Sequence, residues 1–398
     1  MDTLSAMYSS HNTNNVKLSL FYKAAILIIA ALFTSNEIYA QEEYSNWMLR
    51  NGIVLNFNTL NTTIQCDNND EIGTFSFALS DDNGRILIYG YKIYDSSQST
   101  NDYVIKNNKN EIIIKEQCGD LKNIVYCKHP SGGYYLAIVY LDKRLESTFC
   151  IYQFDNRGSL TNTYRYDNGI YRSFLVMLPL GDDIKLLVYN IKDTSLESYK
   201  LQKDGVAFEK KYDVELGAFK IKPYVPFCIR QSIVGSKIYA STGSDFFIID
   251  ISHETGNVSV SKTVKANDFS YMALSANDRY LMAIYDFKLI AYDLMKDFDL
   301  SDYQVFYDFS SDIDQNIYGD WDIQTGIDGK TYVARPDNKK LYIVDGIETG
   351  DVVVETIESD CLETSFWHNP FPQILRCPKS SPAVPCSTPP AAPRIIPE

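Results

Sequence analysis

The chain has 398 residues, with 37 Lys and Arg against 51 Asp and Glu, for a formal net charge of -14. Nucleic acids and anionic lipids are recognised by basic patches, so this balance excludes both as expected partners. It leaves calcium, cationic partners or plain solubility as readings of the charge.

The first predicted element is an export signal. Lys17 and Lys23 precede AAILIIAALF (24–33), an apolar run of about ten residues, half the roughly 20 needed to span a bilayer. Ala40 supplies a small residue at the last position before a cut, Ile38 fits the outer position imperfectly, and polar Gln41, Glu42 and Glu43 follow. We therefore expect residues 1–40 to be a signal peptide cut at Ala40/Gln41, the alternatives being a short signal anchor or a buried helix. Met7 is a second candidate start. The first cysteine is Cys66, so no lipid-acceptor cysteine adjoins the cut, and no later segment is apolar and long enough to span a membrane. Cell surface, secreted or periplasmic residence follows from the signal, as a monomer.

From about residue 47 to 376 there is no convincing amphipathic helix. Short runs of Tyr, Ile, Val and Phe are bounded by Gly, Asn, Asp or Ser, the pattern of strands and turns. A turn followed by an apolar strand recurs in SDDNGRILIYG (80–90), HPSGGYYLAIVY (129–140), LGDDIKLLVYN (180–190), VGSKIYAS (234–241), SANDRYLMAIY (275–285) and GIDGKTYVA (326–334). Measured between Asn83, Gly132, Asp182, Gly235, Asn277 and Asp328, the steps are 49, 50, 53, 42 and 51 residues. Second strand runs follow at 149–155, 246–252, 288–294 and 340–346. One four-stranded sheet per 40–50 residues marks a propeller blade. The fold class expected is all-β: one β-propeller over 41–376 with six or seven blades, seven preferred, and GIVLNFNT (52–59) completing the last blade. A tandem of β-sandwiches would show units nearer 100 residues. Beyond it, 377–398 is rich in Pro, Ser and Ala and reads as a linker or disordered tail.

Eight cysteines (Cys66, Cys118, Cys127, Cys150, Cys228, Cys361, Cys377 and Cys386) follow the signal. None lies in a C-x-x-C, so zinc and thioredoxin-like readings are weak. Export permits disulfides. Cys118–Cys127 and Cys361–Cys377 are candidate pairs, and buried thiols are the alternative.

Four stretches carry a likeness to a known family. NWMLRNGIVLNFNT (46–59), FSFALSDDNGRILIYGYKIYD (75–95), HPSGGYYLAIVY (129–140) and DIQTGIDGKTYVA (322–334) stand in the order of its opening, first-blade, middle and last-blade motifs. NPFPQIL (369–375) matches its closing segment more loosely. The chain thus resembles, over about 46–376, the N-terminal propeller region of Bacteroidetes surface proteins of the PKD-repeat, gliding-motility-associated, type IX secretion kind. The resemblance implies a propeller at the cell surface and brings no catalytic residues. No PKD-like module or C-terminal sorting domain follows in this sequence, which leaves the secretion route open and raises a truncated surface protein, active through a downstream part, as one reading.

Chemistry-bearing motifs are sparse. His129, His253 and His368 are isolated and read as loop residues rather than metal ligands. No G-x-S-x-G nucleophile turn and no Gly-rich phosphate loop occurs. Carboxylates gather in DFDLSD (297–302) and SSDIDQNIYGDWD (310–322). Asp297, Asp299, Asp302, Asp312 and Asp314 are the candidate calcium ligands, with Asp320 and Asp322 in the same stretches, although neither fits an EF-hand loop and solvated loops are the simpler reading. Trp321 and Trp367 are candidate stacking residues for a sugar or peptide, against the simpler reading of core packing. The expected function is an exported binding or adhesion module for a glycan, peptide or surface protein, with no catalytic site and no obligatory cofactor. The alternative is a propeller-based glycosidase or lyase, whose carboxylate spacing no sequence can measure.

Overall fold

The computed structural model describes the strands and most turns between Asn46 and Leu362; residues 1–45, 363–398 and several inter-strand segments, the longest 214–227, lie outside that description. The expected signal peptide and tail therefore fall outside the described residues.

The strands form seven sheets in chain order. The first sheet holds β1 (Asn46–Met48), β2 (Ile53–Asn56) and β3 (Thr63–Cys66). The second holds β4 (Phe77–Ser80), β5 (Ile86–Asp95), β6 (Thr100–Asn107) and β7 (Ile112–Cys118), and the third β8 (Asp120–Lys128), β9 (Tyr134–Leu141), β10 (Ser147–Phe154) and β11 (Leu160–Tyr166). The fourth holds β12 (Arg172–Leu180), β13 (Asp183–Asn190), β14 (Ser195–Gln202) and β15 (Gly205–Asp213). The fifth holds β16 (Cys228–Gln231), β17 (Lys237–Ser241), β18 (Gly243–Ile251) and β19 (Val258–Phe269). The sixth is β20 (Met272–Leu274), β21 (Tyr280–Tyr285), β22 (Lys288–Asp293) and β23 (Gln304–Asp308), and the seventh β24 (Asp322–Thr325), β25 (Thr331–Ala334), β26 (Lys340–Asp345) and β27 (Val353–Glu358). Each is an antiparallel meander in which sequence neighbours pair. This is a seven-bladed β-propeller, with three described strands in its first blade and four in each of the others.

The expected repeat maps onto one topological feature. All six turn markers fall in the sequence between the first and second strands of blades two to seven, Asp182 and Gly235 themselves lying outside the described residues. Local chemistry explains why chain reversal occurs there. Asp81 Oδ1 accepts the amides of Asn83 (2.8 Å) and Arg85 (2.9 Å), and Asn277 and Asp328 repeat the device toward Arg279 and Lys330. Short Asp and Asn side chains satisfy turn amides that no strand reaches.

A second repeat is a one-residue bulge in the fourth strand. Ile113, Thr161, Glu209, Ser261 and Phe306 each lack a partner in the register with the third strand of their blade. At two of them a hydroxyl bonds the third strand: Thr161 to the Gln153 carbonyl (3.0 Å) and Ser261 to that of Ile248 (3.2 Å). Such bulges increase strand twist, which radially stacked sheets need.

Packing closes the ring. One buried cluster joins Trp47 and Leu55 of the first blade to Phe77 and Leu79 of the second and to Tyr332, Leu341 and Ile343 of the seventh. Trp47 meets Phe57 and Tyr332 edge-on at 4.8 and 5.4 Å, and Phe57 meets Tyr332 at 5.3 Å. The segment expected to complete the last blade instead forms the middle strand of the first sheet, with Ile53–Asn56 paired to both β1 and β3. Locally connected hairpins sacrifice less chain entropy than pairing across the whole length of the domain.

The candidate pair Cys118–Cys127 is overturned: Cys127 is a buried thiol in the core between the third and fourth blades, 3.3 Å from Met177 Sδ. Cys150 and Cys228 are buried thiols as well. Side chains alternate across each strand, and those of Cys127 and Cys150 point to the two opposite faces of the third blade, into different core clusters. Cys361 and Cys377 lie outside the described residues.

Candidate interaction surface

The inner strands are the first place to look for a propeller site, because the first strands of adjacent blades run side by side. Their polar groups stitch blades together. Asn46 Nδ2 donates to Ser80 Oγ (2.9 Å) and to the Gly84 carbonyl (2.8 Å). The Tyr126 hydroxyl donates to the Ala78 carbonyl at 3.0 Å, and Thr325 Oγ1 to the Leu274 carbonyl at 2.6 Å. Buried Arg230 spans from its own strand to the Ile323 carbonyl of the seventh blade at 3.1 Å. These bonds link neighbouring or next-neighbouring blades.

The residues singled out in the sequence separate in the structure. Trp321 is buried, packed against Phe309 at 5.0 Å with the Arg335 guanidinium 5.6 Å from its ring. It therefore belongs to the core between the sixth and seventh blades and offers no open face for stacking. Asp322 is also buried, its Oδ1 accepting the Ile323 amide. Asp312 accepts the Tyr307 hydroxyl at 2.8 Å. Asp314 and Trp367 lie outside the described residues, as do Asp320, His253 and His368. His129 is buried in its turn, with Nδ1 2.6 Å from Ser131 Oγ. Among the described residues no three His, Cys, Asp or Glu side chains converge as a metal site would require.

Asp297, Asp299 and Asp302 share the connection between β22 and β23. Asp299 Oδ1 accepts the amide and the hydroxyl of Ser301, both at 2.9 Å. Those bonds hold its carboxyl below the ordinary aspartate range. Asp302 faces Lys296 at 3.6 Å. Underneath, Phe298 anchors the loop, stacked 4.7 Å from Phe246 of the fifth blade, while Lys262 donates to its carbonyl.

Among the described residues seven large hydrophobic side chains are exposed, and four of them belong to the sixth blade, around this loop: Met295 (82% exposed), Val305 (51%), Tyr285 (47%) and Tyr303 (41%). Alternation places Tyr303 and Val305 on one face of the strand, and Tyr303 lies 6.1 Å from Tyr292 on that face. Exposed aliphatic and aromatic groups with a charged border make this the candidate contact surface. The sequence reading missed it, because Met295, Tyr303 and Val305 carry no motif; Met295 and Tyr303 lie in the β22–β23 connection and Val305 in the fourth strand, and all three are exposed.

No protein-family model matches the chain, and no curated protein matches it. Solved structures do. A provisionally assigned 6-phosphogluconolactonase from Bacteroides fragilis superposes with a TM-score of 0.50 at 12% identity, over 79% of this chain and 96% of the other. The periplasmic gluconolactonase of Pseudomonas aeruginosa gives 0.48 at 11% identity, over 82% and 97%. A functionally unknown protein from Desulfotomaculum acetoxidans gives 0.47 at 12%, over 79% and 99%. At these identities the first likeness bears on fold alone, and it is to a β-propeller.

Proposed function

We propose that the chain is an exported interaction module, a propeller that holds a recognition surface on the rim of its sixth blade. The observation that carries this reading is the concentration of Met295, Tyr303 and Val305 beside Asp297, Asp299 and Asp302. Solvent-exposed side chains of this size gain from being covered, at about 25 cal/mol for each Å² removed from water. Export rests on the N-terminal sequence, and a place among the Bacteroidetes surface propellers rests on the order of the four motifs. Calcium enters only as a condition of the test, since the described carboxylates of the loop do not converge on one ion site.

The test is an array of glycans and peptides probed with the full chain, with and without calcium. Binding without turnover is expected, and Met295→Ser with Tyr303→Ser and Val305→Thr should weaken it at least tenfold while the melting temperature holds. Product formation from a glycan would replace this reading with the carbohydrate-active one.

A further inference from the structure

Each outer strand of the propeller presents a row of backbone amides and carbonyls that no described strand of its own blade uses. Proteins blunt such edges with charged side chains, lysine above all, since a bare edge is a template for another chain. Five of the six fourth strands follow that rule. β7 carries Lys115 and Glu116, β11 carries Arg165, β15 carries Glu209, Lys210 and Lys211, β19 carries Lys262 and Lys265, and β27 carries Glu355 and Glu358. β23 reads Gln-Val-Phe-Tyr-Asp, with its single charge, Asp308, at the last position and none along Gln304–Tyr307. Its bulge at Phe306 is shared with β7, β11, β15 and β19, so side-chain chemistry, not shape, sets it apart.

The surroundings state what would fit there. The middle of the strand exposes Val305, with Tyr303 and Met295 at one end. Carboxylates stand at both ends, exposed Asp297, Asp299 and Asp302 before the strand and exposed Asp308 at its close. Asp308 accepts the Ser310 amide at 2.9 Å, and Ser310 keeps its carboxyl below the ordinary range, hence ionised at neutral pH. Three lysines stand near: Lys296 and Lys288 lie beside carboxylates, Asp302 and Asp286 respectively, and Lys262 donates to the Phe298 carbonyl, with its charge helping to lower the Asp299 carboxyl. At about 3.3 Å per residue, Asp302 and Asp308 sit roughly 20 Å apart along the strand.

We propose that the edge of β23 accepts an extended segment of a partner protein as a fifth strand, apolar in its middle and bearing lysine or arginine at both ends. This rests on the interaction-module reading and narrows it to one edge and one partner chemistry. Strand addition draws affinity from main-chain hydrogen bonds and specificity from alternate side chains. A second copy of this chain fits poorly, because pairing β23 with itself would bring two acidic borders together.

The experiment selects binders to the full chain from a displayed library with two lysines on either side of five randomised residues, beside a matched library with glutamates in their place. Enrichment from the lysine library alone is expected, with apolar residues alternating through the centre. Affinity of a selected peptide should fall at least tenfold between 50 and 500 mM salt, and at least tenfold again in Val305→Lys. N-methylation walked along that peptide should abolish binding at every second residue and spare those between, a pattern that side-chain contact does not produce. Equal enrichment of the glutamate library, indifference to Val305→Lys, or a flat N-methyl pattern would overturn strand addition. Binding of a glycan or folded protein that survives in Val305→Lys would overturn it while keeping the module. Self-association in sedimentation that Val305→Lys abolishes would assign the edge to a second copy instead.

Discussion

Among the described residues, the first and last blades meet through side-chain packing in which Trp47 takes part. Trp47 is fully buried and makes edge-on contacts to Phe57 in its own blade and Tyr332 in the seventh. Truncating a buried Trp or Phe to Ala costs about 3–5 kcal/mol, against a typical total of about 5–15 kcal/mol. Trp47→Ala should therefore move the chemical denaturation midpoint strongly downward and open the ring to proteases near its first blade. A double-mutant cycle with Trp47→Leu and Tyr332→Leu isolates the closure contact, with an expected coupling of about 0.5–1.5 kcal/mol, the usual range for an aromatic pair. Since a seven-bladed domain need not unfold in one step, fluorescence and circular dichroism should be followed together. A loss below about 1 kcal/mol in Trp47→Ala, or zero coupling in the cycle, would refute the idea that this packing closes the ring.

Three further outcomes follow from local geometry. A Cβ at Gly326 would stand 2.6 Å from Asp328 Oδ1, 2.8 Å from Tyr332 Cε2 and 3.0 Å from Phe57 Cε1; Gly326→Ala should cost about 1–3 kcal/mol by denaturant titration, as overpacking does. The β21–β22 turn places both Asp286 (φ 47°) and Phe287 (φ 59°) in the left-handed region; Asp286→Gly should stabilise by up to about 1 kcal/mol, and a lower melting temperature would contradict the strain. For Glu209, burial alone would raise the carboxyl, but hydrogen bonds from Lys185 (2.8 Å) and Ser198 (2.7 Å) and the Lys185 charge hold it below its ordinary value. Its contribution is thus complete above the unfolded-state pKa and is lost as pH falls through the lower folded value. The melting-temperature gap between wild type and Glu209→Gln should narrow on acidification, and a constant gap from pH 7 to pH 3 would contradict it.

The first-to-second turn was legible because it rests on residue type. Asp, Asn and Gly mark reversals whatever the tertiary context, and six such marks at a regular step narrowed the blade count to six or seven, the first blade carrying no mark. The fourth-strand bulges were not legible, for Ile113, Thr161, Glu209, Ser261 and Phe306 share no chemistry; the bulge belongs to register. Trp321 follows its simpler reading: it adjoins β24, and its ring faces Phe309 and Arg335 in the core. Asp299 and Asp302 were flagged as calcium ligands from composition, whereas the structure gives them turn and ion-pair partners at the border of an apolar edge. That edge could not be read from β23 alone, because its distinction lies in what the five equivalent strands possess and it lacks.

The cysteines bring compartment and fold into one argument. The proposed export would bring the chain to oxidants, yet Cys127, Cys150 and Cys228 are buried thiols. Burial pushes the Cys150 thiol up in pKa, with Tyr152, Tyr140 and Arg165 offsetting only part of it. Burial likewise raises Cys228, although the Arg230 charge pulls the other way. The thiolate is the species that attacks disulfides and alkylating reagents, so both chemistry and access protect these positions. In the native protein at pH 8 none of the three should be alkylated over an hour by iodoacetamide, as read by peptide mass mapping. All three should react within minutes in denaturant without reductant. A requirement for reductant would mean that they are paired in the protein, and rapid native labelling of Cys150 would mean that the third blade opens far more readily than its packing allows.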